Sequence, residues 1–121
     1  MKFTREYTNS LLIRSVSEDE IVIGEAHYRS TIALTADAVF DEWSTKPVAD
    51  LAEEDFADLL EAGPELIVLG TGSSNVFPPR ELVFSLARRG IGLEVMDTAA
   101  AARTFNVLAG DGRHVVAVLY I

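Results

Sequence analysis

The chain has no cysteine among its 121 residues, which excludes disulfides, thiolate metal sites and thiol nucleophiles. That absence fits a reducing compartment. No apolar run approaches the roughly 20 residues that a helix needs to cross a bilayer. The opening Met1-Lys-Phe-Thr-Arg-Glu6 has neither the apolar core of a signal peptide nor the Arg/Ser-rich amphipathic stretch of a transit peptide, so a cytoplasmic protein is expected. Histidine is scarce as well: two residues, far apart and without cysteine, offer no metal-ligand spacing, and neither a metal nor a cofactor is expected. Basic residues number ten against 19 acids, for a net charge of −9. The deficit is uneven, since residues 1–62 hold 14 acids and five bases, whereas 63–121 hold five of each and every base there is arginine. Phosphate backbones need a basic stripe, so nucleic acid is not an expected partner. Solubility is the plain reason for the acidity, and docking to a basic partner is the sharper one.

What is present is a globular composition, 49% hydrophobic, in a length that suits one domain over 1–121. Its centre is Glu65-Leu-Ile-Val-Leu-Gly-Thr-Gly-Ser-Ser-Asn-Val-Phe-Pro-Pro-Arg80. Leu66 to Leu69 is continuously apolar and short, which predicts a strand covered on both faces in the middle of a sheet. The run breaks at Gly70-Thr-Gly72-Ser-Ser-Asn75, and a helical pattern begins after Pro78-Pro79, with Pro79 suited to the first helical position. The glycine loop therefore sits at the carboxyl end of a buried strand, where open α/β sheets bind ligands.

Upstream, Leu11–Ile13 and Ile21–Ile23 flank the acidic turn Ser17-Glu-Asp-Glu20 and predict an antiparallel hairpin ended by Gly24. A third strand is expected over 30–34, a turn at Thr35-Ala-Asp37, and a further extended run from Val39 to Trp43. Tyr28 and Trp43 read as core or half-buried residues. Asp50-Leu-Ala-Glu53 has the form of a capping box opening a helix with an apolar stripe of Leu51, Phe56, Leu59 and Leu60, stopped by Gly63-Pro64. Downstream, Leu82, Val83, Phe84, Leu86 and Ala87 are expected to form the buried side of a helix ending at Gly90. Arg80 and Arg88 share another face with Arg89 beside them. Gly92–Met96 reads as a strand, Asp97-Thr98 as the cap of an alanine-rich helix closed by Gly110-Asp-Gly112, and Val115–Leu119 as a last buried strand. The first third is thus β-rich, and the remainder is α/β with two crossover units.

The Gly70–Asn75 loop could hold a small anion on backbone N–H groups, yet it lacks Gly-Lys-Ser/Thr and the Gly-x-Gly-x-x-Gly spacing, and a tight strand-to-helix connection needs glycines in any case. Ser73 and Ser74 could serve as nucleophiles with His27 or His114 as base, but no Gly-x-Ser-x-Gly elbow is present. Asp97 has helix capping as its default role and stands near the loop if the two strands are neighbours. Arg103, on an alanine-rich helix, must reach solvent or pair with Asp97 or Glu94; pairing is the preferred expectation. Phe77 with its double proline forms a rigid, partly apolar rim.

Leu66-Ile-Val-Leu-Gly-Thr-Gly72, Phe77-Pro-Pro79, Gly90-Ile-Gly-Leu-Glu-Val-Met-Asp-Thr98 and Ala102-Arg-Thr-Phe-Asn-Val-Leu108, in that order, resemble a small family. It includes the mitochondrial NADH dehydrogenase (complex I) assembly factor 3 and many bacterial proteins of unknown biochemical function. The resemblance implies a three-layer α/β, Mth938-like fold with a mixed central sheet, and a role in assembling a respiratory complex at a membrane. A bacterial source is the natural reading of the N-terminus.

Two functions follow as expectations. The first is a non-enzymatic interaction or assembly protein whose partner is another protein or a membrane-associated complex, met through Phe77, Arg80, Arg88 and Arg103. The second is a small-molecule or anion binder, or an enzyme, whose pocket joins Gly70, Gly72, Ser73 and Ser74 to Asp97 and Arg103. Oligomeric state is left open.

Overall fold

The computed structural model describes residues 12–44 and 46–121. Leu11 and the N-terminal segment on which localisation was argued lie outside them. Among the described residues, eight strands form two sheets. The smaller one is a meander of β1 (Ile13–Val16), β2 (Ile21–Ile23) and β3 (Ala26–Tyr28), antiparallel throughout. Its first turn is held by the Ser17 N–H donating to Glu20 O at 2.9 Å. Gly24, at φ 58°, opens the tight turn into β3. The predicted hairpin is therefore present, but β3 was not expected. The run from Tyr28 to Leu34 is divided between the two sheets, and the strand expected over 30–34 is the shorter β4 (Ile32–Leu34).

The larger sheet has the order β5-β4-β8-β6-β7, with β5 Val39–Phe40, β6 Leu66–Thr71, β7 Gly92–Met96 and β8 Val115–Tyr120. β6 lies parallel to β7 and to β8, while β4 runs antiparallel to β8 and to β5, so the sheet is mixed. The apolar runs of β6 and β8 are buried on both faces, as their lack of polar alternation requires. Val68, Ala117 and Leu119 face one core with helix α3 (Thr98–Gly110) and the β1–β2 hairpin. Ile67, Leu69, Val116 and Val118 face the other, with helix α2 (Arg80–Arg88) and the segment 48–60. Three layers result, as expected.

The 48–60 segment corrects two expectations. It is not one helix capped at Asp50 but 3₁₀ turns at Val48–Asp50 and Glu53–Phe56 leading into the short α1 (Ala57–Leu60). The capping carboxylate is Asp55, whose Oδ2 accepts from the Ala52 N–H at 2.9 Å and from Lys46 Nζ at 2.8 Å. Burial raises the Asp55 carboxyl, and these two hydrogen bonds more than reverse that, leaving its pKa below the ordinary aspartate value. Trp43 packs on Phe56 with ring centroids 5.2 Å apart, in the half-buried setting expected of it.

In α2, Pro79 precedes the first helical residue rather than occupying it. The buried stripe there is Leu82 and Leu86 alone. Phe84, expected inside, is 53% exposed. At 100° per residue it stands about 200° from Leu82, so the helix that buries Leu82 and Leu86 must turn Phe84 outward.

Candidate functional site

The carboxyl ends of β6, β7 and β8 meet at one edge of the larger sheet. From β6 the chain leaves toward α2 on one face, and from β7 it leaves toward α3 on the other. Neighbouring parallel strands whose connections diverge in this way leave a crevice between them.

Gly70, expected to open the loop, is instead paired within β6, and the loop begins after Thr71; the two glycines are there for different reasons. A Cβ on Gly70 would lie 2.9 Å from Thr98 Cα and 3.0 Å from Ala101 Cβ, so Gly70 lets the start of α3 rest directly on β6. Gly72 has open space where a Cβ would be, but its φ of 97° is one that side-chain-bearing residues rarely adopt. Two buried threonines then tie the loop down. Thr98 Oγ1 donates to Tyr120 O at 2.5 Å and accepts from the Gly72 N–H at 2.8 Å, and the Thr98 N–H donates to Gly72 O at 2.9 Å. Thr71 Oγ1 donates to Ser74 O at 2.6 Å and accepts from the Val76 N–H at 3.0 Å. Each hydroxyl gives one proton and receives one, so both threonine side chains are satisfied within the fold.

Over this framework opens a cleft of about 760 Å³. Its lining includes Glu18 from the β1–β2 turn, Ser73 and Ser74 from the loop, Asp97 and Ala99 at the start of α3, and Tyr120 at the end of β8. Asp97 is the N-cap of α3, as expected, its Oδ1 accepting from the Ala100 N–H at 2.8 Å. Two N–H groups of the first turn of α3 are thus already occupied, and the charged side chains lining the cleft are the carboxylates of Glu18 and Asp97. That field favours a neutral or cationic occupant over an anion. Tyr120 reaches past the cleft to donate from its hydroxyl to Lys46 O at 2.8 Å. Burial, with the Asp55 charge adding to it, pushes its pKa up to about 12.

The remaining candidates lie elsewhere. Arg103 does not pair with Asp97 or Glu94; it is exposed and lines a separate groove between α3 and β1, with Ala102 and Asn106. Six residues along a helix turn a side chain through about 600°, which carries Arg103 to a different face from its cap residue. His27 bonds Glu20 at 3.1 Å on the meander. His114 lies at the opposite end of β8 from the loop, where its N–H donates to Glu65 Oε2 at 3.3 Å. Neither imidazole lines the cleft, so Ser73 and Ser74 have no histidine beside them there. Phe77 and Arg80 are exposed outside it, around the start of α2.

Thr71, Thr98 and Asn106 were not singled out as site-forming in the sequence. Asn106 takes β1 as a neighbouring strand would: its Oδ1 accepts from the Ile13 N–H at 3.0 Å and its Nδ2 donates to Ile13 O at 2.8 Å. A burial pattern could have marked Thr98, which opens an otherwise alanine-rich buried stripe, but its partners are 22 and 26 residues away.

A protein-family profile described as "Protein of unknown function (DUF498/DUF598)" matches residues 13–120. Among curated relatives, the "13 kDa major membrane protein" of Francisella tularensis is 25% identical over 118 residues, 97% of this chain and 89% of that protein. The Bos taurus NADH dehydrogenase (ubiquinone) 1 alpha subcomplex assembly factor 3 is 32% identical over 111 residues. That alignment takes in 90% of this chain but spans only 60% of the length of the assembly factor. Among solved structures, a Xanthomonas campestris protein superposes with a TM-score of 0.82 at 32% identity, over 90% of this chain and 83% of its own. A Bordetella pertussis protein described as a Mth938-like domain gives 0.73 at 27% identity, over 94% and 86%. Among the described residues, no helix is long and apolar enough to cross a membrane.

Proposed function

The chain belongs to the family described as "Protein of unknown function (DUF498/DUF598)", and from that premise we propose that it is a non-enzymatic interaction protein that assists the assembly of a multi-subunit complex. The observation that carries this reading is the likeness, over 90% of the chain, to a protein named as an assembly factor of NADH dehydrogenase. The surface supports it. Phe77, 73% exposed, is held out on a rigid double proline beside the exposed Arg80, and aromatic and arginine side chains are those that most often anchor interfaces. We place its action on the cytoplasmic side of a membrane-bound complex; fractionation is the check, because one relative is named a major membrane protein.

A second reading rests on the 760 Å³ cleft at the strand ends, which would suit a small neutral or cationic molecule. One experiment addresses both. The tagged chain is purified from its own cells beside a folded Phe77→Ala/Arg80→Glu variant, and each preparation is screened against metabolites for a rise in unfolding temperature. A defined complex recovered by the parent alone is the result expected for an assembly factor. A metabolite shift equal in both, with no protein recovered by either, would replace the first reading with the second.

A further inference from the structure

We propose that the outer face of α2 is a docking surface for an acidic amphipathic helix of a partner protein, gripped by Phe77 and Phe84 and flanked by Arg80 and Arg88. This deepens the assembly reading and rests on it, naming the surface and the chemistry of what it meets.

The helical period places Arg80, Phe84 and Arg88 at i, i+4 and i+8, in one row on the side away from Leu82 and Leu86. All three are exposed, and Phe77 precedes them on the connection into the helix. Of the six large apolar side chains exposed among the described residues, Val76, Phe77 and Phe84 fall within this one stretch. Two phenylalanines turned to water within one short stretch are unusual in a chain that buries Phe56 and Phe105 completely or nearly so. The approach to the helix is also rigid. Thr71 holds Ser74 and Val76 by hydrogen bonds, and Pro78 and Pro79 restrict the backbone that follows, so Phe77 is presented with little conformational freedom left to lose.

Charge selects the partner. The chain carries a net charge of −9, and its other C-terminal arginines that form ion pairs are neutralised within the fold: Arg89 by Glu53 at 2.7 Å and Arg113 by Glu65 at 3.1 Å. Arg80 and Arg88 make no ion pair among the described residues. Two guanidiniums outside any such ion pair, with Glu53 the acid that feels the charge of Arg88, bracket Phe84 and suit carboxylates set on either side of an apolar stripe, and an exposed helical ridge suits the groove of a second helix. An anionic bilayer fits less well, because two arginines fall short of the cluster of about four to eight basic residues that holds a protein on anionic lipid.

The test places a photoreactive p-benzoylphenylalanine at position 84 of the full chain and, as control, at position 107, an exposed site on α3. After irradiation in the source cells the cross-linked peptide is sequenced and synthesised as the binding probe. The expected result is a protein segment with acids flanking an apolar helical stripe, cross-linked from 84 and not from 107. Its affinity should fall with rising salt and by about tenfold or more in Arg80→Glu/Arg88→Glu. Arg80→Lys/Arg88→Lys should retain most of the binding, and a probe with its acids changed to lysine should bind the reversed protein. Cross-linking to lipid, to a second copy of this chain, to a segment without acids, or no more at 84 than at 107 would overturn the inference. If Arg80→Glu/Arg88→Glu still co-purifies with the complex that the parent recovers, the assembly reading stands and this surface falls. If the parent recovers none, both fall.

Discussion

Thr98 holds the first turn of α3 to the ends of two strands at once, through a single hydroxyl that is 2% exposed as part of its residue. Replacing it by valine keeps the shape and removes both bonds, stranding the Gly72 N–H and Tyr120 O. Each orphaned group costs about 1–3 kcal/mol. Thr98→Val is therefore expected to lower the midpoint of chemical denaturation clearly, with Thr98→Ser close to the parent. A loss in Thr98→Ser with Thr98→Val near the parent would mean that the methyl group, not the hydroxyl, matters. Asp97 beside it was legible as a helix cap, because capping depends on residues three apart. The role of Thr98 was not, because both its partners come from distant sequence.

Among elements, the β1–β3 meander shows what weak patterning conceals. Ala26-His27-Tyr28 has a burial pattern of two exposed residues and one half-buried, so β3 carries no apolar signal of its own and is specified by the turn at Gly24 and by pairing with β2. β1 in turn is fastened to α3 by Asn106, whose amide bonds both backbone groups of Ile13. Asn106→Ala should leave those groups bare and cost about 1–3 kcal/mol. Hydrogen exchange of the β1–β2 amides should speed up, while that of β6 and β8 stays near the parent rate. Uniform acceleration across all strands would show that the meander does not open separately. Helix α2 carries a different lesson. A list of apolar residues placed Phe84 inside, but the angular period, applied strictly, places it outside once Leu82 and Leu86 are buried.

For the molecule as a whole, charge sets the response to pH. The Arg89 hydrogen bond holds Glu53 below the ordinary glutamate value, and Arg113 does the same for Glu65. The Lys46 and Ala52 hydrogen bonds outweigh burial to hold Asp55 low. A carboxyl with a depressed folded pKa gives stability that is present above its unfolded pKa, about 4, and is lost as pH falls through the folded value. The unfolding temperature is thus expected to hold between about pH 7 and 5 and to drop below about 4. At the alkaline end, Tyr120 ionises at about 12 in the fold against an ordinary 10.0, so stability should decline across that interval. In Tyr120→Phe the alkaline decline should be shallower, and an unchanged slope would show that Tyr120 does not govern it.

The sequence by itself determined the short-range features: the doubly buried runs Leu66–Leu69 and Val115–Leu119, the glycine turn, the Asp97 cap and the order of the α/β half. These obey rules of local spacing, side-chain period and backbone sterics that act within a few residues. Only the tertiary structure decided that β8 inserts between β4 and β6 and that Gly70 makes room for Thr98. It also decided that Arg103 stands away from Asp97, and that Glu18, Ser73, Asp97 and Tyr120 share one cleft. Those outcomes depend on contacts between residues far apart in the chain, where many pairings satisfy the local rules and only packing of the whole core selects one.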